Sequence, residues 1–255
     1  MTLTEDGFLG GRLTIAQPAR GVRSGSDAVL LAAAVPAGPG ERALELGTGA
    51  GVAALCLAWR VPDLRVVGLE NQAGLADLAR RNAAANGLAG RVRVVTADLT
   101  DLPPGGELAP GSFDHVLANP PFFVAPRQPP SPDPSRAAAR AGPAGVLRAW
   151  VRAAAGLTRA GGTLTLIQRA DRWPELEGLL AGLGRIAILP LAARPGRAVK
   201  RVLVRCRLGP AAPIRRLPPL IVHGADGAYR PEIEAVLRGG RALGFGPAGA
   251  VGPGL

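Results

Sequence analysis

From about residue 24 to residue 208 the chain alternates strand-like and helix-like segments, and this alternation restricts the fold more than any other feature. Short apolar runs at 42–47 (RALELG), 65–70 (RVVGLE), 91–98 (RVRVVTAD), 113–119 (FDHVLAN) and 163–168 (TLTLIQ) read as strands. Helix-like segments separate them. SDAVLLAAAV opens with Ser26 and Asp27, good N-cap residues. GVAALCLAWR (51–60) and QAGLADLARRNAAANGL (72–88) follow, the latter with Gly87 as a stop signal. AGVLRAWVRAAAGLTRAGG (144–162) reads as a helix closed by glycines, and WPELEGLLAGLG (173–184) as another. RIAILPL and KRVLVRCRL then read as two closing strands. Their link, AARPGRA, is too short for a helical crossover, so this last pair is expected to be antiparallel. The expected fold class is α/β: a doubly wound, mostly parallel seven-stranded sheet with helices on both faces and a terminal antiparallel hairpin. Residues 1–35 form an N-terminal segment, 36–208 the sheet domain, and 209–255 an extension that starts Pro-rich and ends Gly-rich. The Pro-rich stretch 126–142 reads as a loop.

The formal charge of +11 favours a polyanionic partner such as nucleic acid. Lys200 is the only lysine, and the Ala/Arg/Gly/Pro bias is that of GC-rich coding sequence. Cys56 and Cys206 each lie in an apolar run and read as buried thiols. Two scattered histidines, His115 and His223, are too few for a zinc cluster, so no metal is expected. The N-terminus carries Glu5 and Asp6 rather than a signal-like apolar core, and no run approaches a membrane span. The reading is a soluble, cytoplasmic protein.

Four motifs fall at the ends of the first four strands, where open α/β sheets form their ligand crevice. The first is Glu45-Leu46-Gly47-Thr48-Gly49-Ala50-Gly51. Its glycines permit a tight strand-to-helix turn with room for a ligand beside the strand end. The spacing is G-x-G-x-G rather than the G-x-G-x-x-G of dinucleotide enzymes, which favours S-adenosylmethionine over NAD(P). The second is Glu70, a carboxylate placed to accept from both ribose hydroxyls of either ligand, followed by Asn71 on the adenine side. The third is Asp98-Leu99, an acceptor for the exocyclic amine of the cofactor's adenine and an apolar wall for its ring; Asp98 also suits a helix N-cap. The fourth is Asn119-Pro120-Pro121-Phe122. A ring-conjugated amine is a poor nucleophile because its lone pair is delocalised. The Asn119 side-chain oxygen and the Pro120 carbonyl can each take one N–H, which favours a pyramidal nitrogen with its lone pair aimed at a methyl sulfonium. The prolines stiffen that acceptor pair, and Phe122 can stack on the base.

ELGTGAG, Glu70, ADL and NPPF in this order resemble the class I methyltransferases that modify planar amino groups, which include adenine-N6, glutamine-N5 and guanine-N2 enzymes. The wider sequence narrows the resemblance. The run 6–35, ending in DAVLLAAAV, the hairpin 189–209 and PPLIVHGADGAYRPEIEAVL (218–237) are similar to the tRNA1(Val) adenine-N6 methyltransferase family. The resemblance implies the Rossmann-like methyltransferase sheet and S-adenosylmethionine as cofactor. It also implies methylation of N6 of an adenine near the anticodon of a tRNA. It places Ser24 and Asp27 near the methionine end of the cofactor, with Asn119 touching cofactor as well as substrate. Candidate phosphate contacts are Arg194, Arg197, Lys200 and Arg201 on the closing hairpin, and Arg136 and Arg140 after NPPF. Phe122 stands where tyrosine is commoner in the family; it keeps the stacking face, and it keeps rRNA guanine-N2 methylation open as an alternative. Protein glutamine-N5 methylation is a second alternative.

Overall fold

The computed structural model describes residues 2–21, 23–102, 105–121 and 142–245. Strands β1 (Leu3–Phe8) and β2 (Leu13–Pro18) pair antiparallel as a separate hairpin. Then come α1 (Ser26–Ala34), β3 (Arg42–Leu46), α2 (Val52–Arg60), β4 (Arg65–Glu70), α3 (Ala73–Ala85), β5 (Val92–Thr96) and β6 (Phe113–Ala118). The chain continues through α4 (Gly142–Leu157), β7 (Thr158–Arg169), α5 (Trp173–Leu180), β8 (Gly184–Ala192) and β9 (Val199–Leu208). It closes with β10 (Arg215–Arg216), β11 (Leu220–Ile221) and α6 (Pro231–Leu237).

The main sheet has the order β10-β8-β9-β7-β6-β3-β4-β5. Neighbours from β5 through β4, β3 and β6 to β7 run parallel, while β9 is antiparallel to both β7 and β8. All seven expected strands are present, with the expected antiparallel hairpin. The extension adds two more, β10 and β11, each of two residues and each parallel to β8, making a nine-stranded sheet.

Alternating residues along a strand serve opposite faces of the sheet. Ala43, Leu117, Ile167 and Leu203 face a core built with α1, α2 and α6. Leu44, Val116, Leu166 and Val204 face a second core built with α4 and α5. Cys56 lies in the first core and Cys206 in the second, both buried and free, as the apolar runs around them predict.

Two expected helices end early. The segment 144–162 stops being helical at Leu157, because the glycines after it serve a strand and not a stop. Thr158 already pairs with Phe113, and the register slips before His115. A Cβ on Gly162 would sit 2.6 Å from the Asp114 carbonyl oxygen, so the irregular stretch requires glycine there. The segment 173–184 ends at Leu180 and turns through Gly182, whose φ is 80°. The start of α1 also differs from expectation: its N-cap is Gly25, with no side-chain cap, and Asp27 lies in the first turn with its Oδ2 accepting from Arg201 Nε at 3.0 Å.

Arginines close helix ends that the sequence leaves without polar caps. Arg60 Nη2 donates to the carbonyls of Ala32 and Val35, and Arg205 Nη2 to that of Ala34, at the end of α1. Arg91 Nη1 donates to Ala58 and Val61 at the end of α2. Such donors satisfy orphaned carbonyls and sit well at the negative end of the helix dipole. Burial lowers the Arg60 and Arg205 guanidiniums to about 10, which leaves both charged at neutral pH. Part of the arginine bias is therefore structural.

Candidate active site

The glycine turn after β3 is held from below by Glu45. Its carboxylate is buried, and Oε2 accepts from Thr48 Oγ1 at 2.7 Å and from Ala54 N–H at 2.8 Å. Burial, helped by the nearby Glu70, pushes the Glu45 carboxyl up to about 8 against those two hydrogen bonds. Thr48 N–H donates to the Leu69 carbonyl, and its side chain fills space beside Gly68 of β4. A Cβ at Gly68 would meet Thr48 Cγ2 at 2.8 Å. Gly47, Gly49 and Gly51 all have positive φ (65°, 58° and 90°), the region open to glycine at little cost. Leu46 is fully buried in the second core beneath this turn.

Glu70 ties the turn to the end of β4. Its Oε2 accepts from Gly49 N–H at 2.9 Å and its Oε1 from Gln72 N–H at 3.0 Å. Each carboxylate oxygen has a second lone pair, so Glu70 keeps acceptor capacity beyond these bonds. Asp98 Oδ1 accepts from the Thr100 N–H and hydroxyl at 2.8 and 2.7 Å; residues 99–101 form a turn and not a helix, so Asp98 closes a turn instead of the expected helix N-cap. A cavity of about 190 Å³ joins Gly47, Glu70, Asn71, Asp98 and Leu99, five of the residues picked out by motif. It has a wall the motifs did not supply: Val146, Ala149 and Trp150 of α4. Trp150 lies against the glycine turn so closely that a Cβ on Gly47 would be 2.3 Å from its Cη2. In the sequence Trp150 reads as one more apolar position of an amphipathic helix, so nothing singles it out. Gly68 did carry a signal, since an isolated glycine inside a strand marks a close approach.

Asn119 follows directly on β6, the next strand along the edge. Its Oδ1 is buried and has no hydrogen-bond partner among the described residues. Pro120 is buried and Pro121 exposed. A buried amide oxygen left unpaired is costly, and such atoms concentrate where a ligand completes the bonding. Phe122, Arg136 and Arg140 lie outside the described residues.

Ser24 is fixed through its backbone: its N–H donates to Gln17 Oε1 at 2.8 Å and its carbonyl accepts from Gln17 Nε2 at 3.1 Å. Gln17, itself buried, was not picked out from sequence. The half-buried Asp27 meets Arg201, joining a residue expected at the cofactor to one expected at RNA. Arg194, Arg197 and Lys200 are exposed and carry no ion pair among the described residues. Lys200 and Arg201 border an open cleft of about 350 Å³ with Arg169, Ala170, Asp171 and Val199. Because β3 to β7 are parallel, the cavity, Asn119 and this cleft share the carboxyl edge of one sheet. Among the described residues no group of three or more His, Cys, Asp or Glu side chains could hold a metal ion, and no helix is long and apolar enough to cross a membrane.

Residues 20–129 match the methyltransferase small domain family. The chain is similar to the tRNA1(Val) (adenine(37)-N6)-methyltransferase of Porphyromonas gingivalis, with 34% identity over 231 residues that cover 87% of this chain and 89% of that protein. It is 31% identical over 211 residues to the protein of the same name from Aeromonas hydrophila, covering 82% and 85%. Among solved structures, a predicted O-methyltransferase from Agrobacterium tumefaciens superposes with a TM-score of 0.69 at 28% identity, over 85% of this chain and 97% of that one.

Proposed function

The chain belongs to the tRNA1(Val) (adenine(37)-N6)-methyltransferase family, and from that membership we propose how its own residues carry out S-adenosylmethionine-dependent methyl transfer to the exocyclic N6 amine of an adenine beside the anticodon of a tRNA. The observation that carries the reading is the buried Oδ1 of Asn119 at the end of β6, unpartnered among the described residues. An amino group with two N–H bonds is the complement of that oxygen and the adjacent Pro120 carbonyl.

The cofactor's requirements fit the residues present. Gly49, at the middle of the glycine turn, has open space where a side chain would stand, which leaves room at the strand end. Glu70 retains lone pairs for a pair of hydroxyls, and Asp98 with Leu99 offers an acceptor and an apolar wall for a flat amino-bearing ring. Ser24 and Asp27 are the candidates for its amino-acid end, on the α1 side of the crevice. When bound, S-adenosylmethionine supplies an electrophilic methyl on a sulfonium. Asn119 Oδ1 and the Pro120 carbonyl accept the two N–H bonds of the adenine amine and draw its lone pair out of the ring. Pro120 and Pro121 fix those acceptors before substrate arrives, so no reorganisation is needed during transfer. Phe122 stacks on the extruded base. Alignment of nitrogen and methyl by these contacts supplies much of the acceleration. Arg194, Arg197 and Lys200, with Arg136 and Arg140, neutralise phosphates of the RNA.

The test is nucleoside mass spectrometry of tRNA and rRNA after incubation with the protein and isotopically labelled cofactor. Label is expected in N6-methyladenosine of tRNA. Label appearing only in N2-methylguanosine of rRNA, or only in protein glutamine, would overturn the assignment.

A further inference from the structure

The motif HGADGAY (223–229) takes no part in the pocket or at Asn119, yet the fold brings it to the same edge. Strand β8 runs parallel to β7, since both are antiparallel to β9, and β11 runs parallel to β8. The turns that leave β8 and β11 therefore project from the carboxyl edge that carries Asn119. The two turns are joined. Val222 N–H donates to the Ala192 carbonyl and His223 N–H to that of Ala193, both at 2.9 Å, extending the strand pairing outward. Gly227 lies against the β8–β9 turn: a Cβ there would be 3.2 Å from Arg194 Nη2.

The second turn is closed upon itself. Gly224 N–H donates to the Ala228 carbonyl and Arg230 N–H to that of Val222, at 2.9 and 3.0 Å, and His223 bridges Tyr229. The His223 and Tyr229 rings stack with centroids 4.8 Å apart and planes 21° from parallel. His223 Nδ1–H donates to the Gly227 carbonyl at 3.1 Å, which fixes the ring. Both residues are half-exposed, and neither His223 Nε2 nor the Tyr229 hydroxyl has a hydrogen-bond partner among the described residues. Tyr229 is the only tyrosine in a chain with 4% aromatic residues. Arg194 reaches this turn at Gly227, and Arg197 and Lys200 follow it on the 193–200 segment; all three are exposed and carry no ion pair among the described residues. The acid on the same turn, Asp226, accepts from the Ala228 N–H through Oδ1 at 3.0 Å.

A rigid aromatic pair with free polar tips, flanked by unpaired cations, has the makeup of a site for single-stranded nucleic acid: bases stack on the rings and phosphates meet the charges. We propose that the 193–200 and 223–229 turns form one platform that holds an unpaired nucleotide of the substrate RNA other than the one being methylated. In the sheet order β8 is three strands from β6, so at roughly 4.8 Å per strand the platform stands about 15 Å from the end of the Asn119 strand. That separation places a neighbour of the target on the platform while the target itself is drawn to Asn119. The inference rests on the tRNA reading above and adds to it a second, stacking contact.

The test is direct binding, read apart from catalysis: fluorescence anisotropy of a labelled anticodon stem-loop of valine tRNA titrated with full-length protein. The variant Arg194→Ala/Arg197→Ala/Lys200→Ala is expected to weaken binding at least tenfold and to flatten the slope of log K against log salt by about two. His223→Ala is expected to weaken binding about tenfold, and His223→Phe, which keeps a flat ring, to restore most of it. All variants are expected to bind cofactor as the wild type does, measured by calorimetry. Affinity for the stem-loop within twofold of wild type in both the triple variant and His223→Ala would overturn the platform. So would a His223→Phe variant as weak as His223→Ala. Wild-type protein that binds the stem-loop with these dependences but methylates no tRNA would count against the proposed activity and in favour of the platform.

Discussion

Asn119 is where one side chain decides most. Its Oδ1 is buried without a partner among the described residues, so its removal is expected to cost little stability and much rate. Asn119→Ala should lower the methylation rate constant by about a hundredfold or more, the scale for losing one preorganised polar contact to the reacting group. Single-turnover kinetics checks this, with unchanged cofactor affinity as the control. Glu45 is the converse case, a residue whose role lies in the fold. Its carboxyl rises from 4.5 to about 8, chiefly through burial. The folded state therefore holds a proton that the unfolded chain releases at lower pH. The stability so gained is full below the unfolded value and is lost as pH rises toward the folded one. Glu45→Gln keeps an oxygen for Thr48 and Ala54 and removes the titration. Between about pH 4.5 and 8 its melting temperature should fall less steeply with pH than that of the wild type. Parallel slopes in a thermal-melt series would refute this.

Among the elements, α4 walls the pocket, and α3 ties the N-terminal hairpin to the glycine turn. Helix α4 sets Trp150 against Gly47, and a side chain at Gly47 would need both positive φ and the space the indole fills. Cofactor entering this crevice alters the indole's surroundings, so tryptophan emission should change on titration, and the change should be lost in Trp150→Phe. Helix α3 binds the N-terminal hairpin through two amides one turn apart. Asn86 exchanges two hydrogen bonds with the backbone of Thr14. Asn82 does the same with Ala16 and also donates to the Ala50 carbonyl in the glycine turn, at 2.8 Å. Because Asn82 is buried, Asn82→Ala leaves several backbone groups unpaired and should cost about 2–3 kcal/mol in urea denaturation. In the sequence these asparagines are merely two polar positions near the end of a helix, since their partners in the hairpin lie more than sixty residues away.

For the whole molecule, the extension after β9 is part of the core. Leu217, Leu220, Ile233, Val236, Leu243 and Phe245 pack with α1 and α2, and Arg205 lies 4.2 Å over the Phe245 ring. A chain ending at residue 208 should lose cooperative thermal unfolding and bare an apolar face, rather than lose RNA affinity alone; a sharp melt in that truncation would contradict this. The alternation of strands and helices was enough to fix the sheet, its helices and its antiparallel close, because period and turn residues are local properties of a chain. The same locality made G-x-G-x-G, Glu70, Asp98 and NPPF legible as strand-end motifs. Locality also explains the errors: Gly161 and Gly162 look like a helix stop, and only the neighbouring strand shows that they serve an irregular pairing with β6. Sequence by itself thus determined the fold class, the family and the residues at the strand ends. Tertiary structure alone decided that Trp150 walls the cavity, that Asp27 meets Arg201, and that HGADGAY stands beside Arg194. Those facts depend on which strands become neighbours, and contacts between residues distant in the chain exist only once the sheet has assembled.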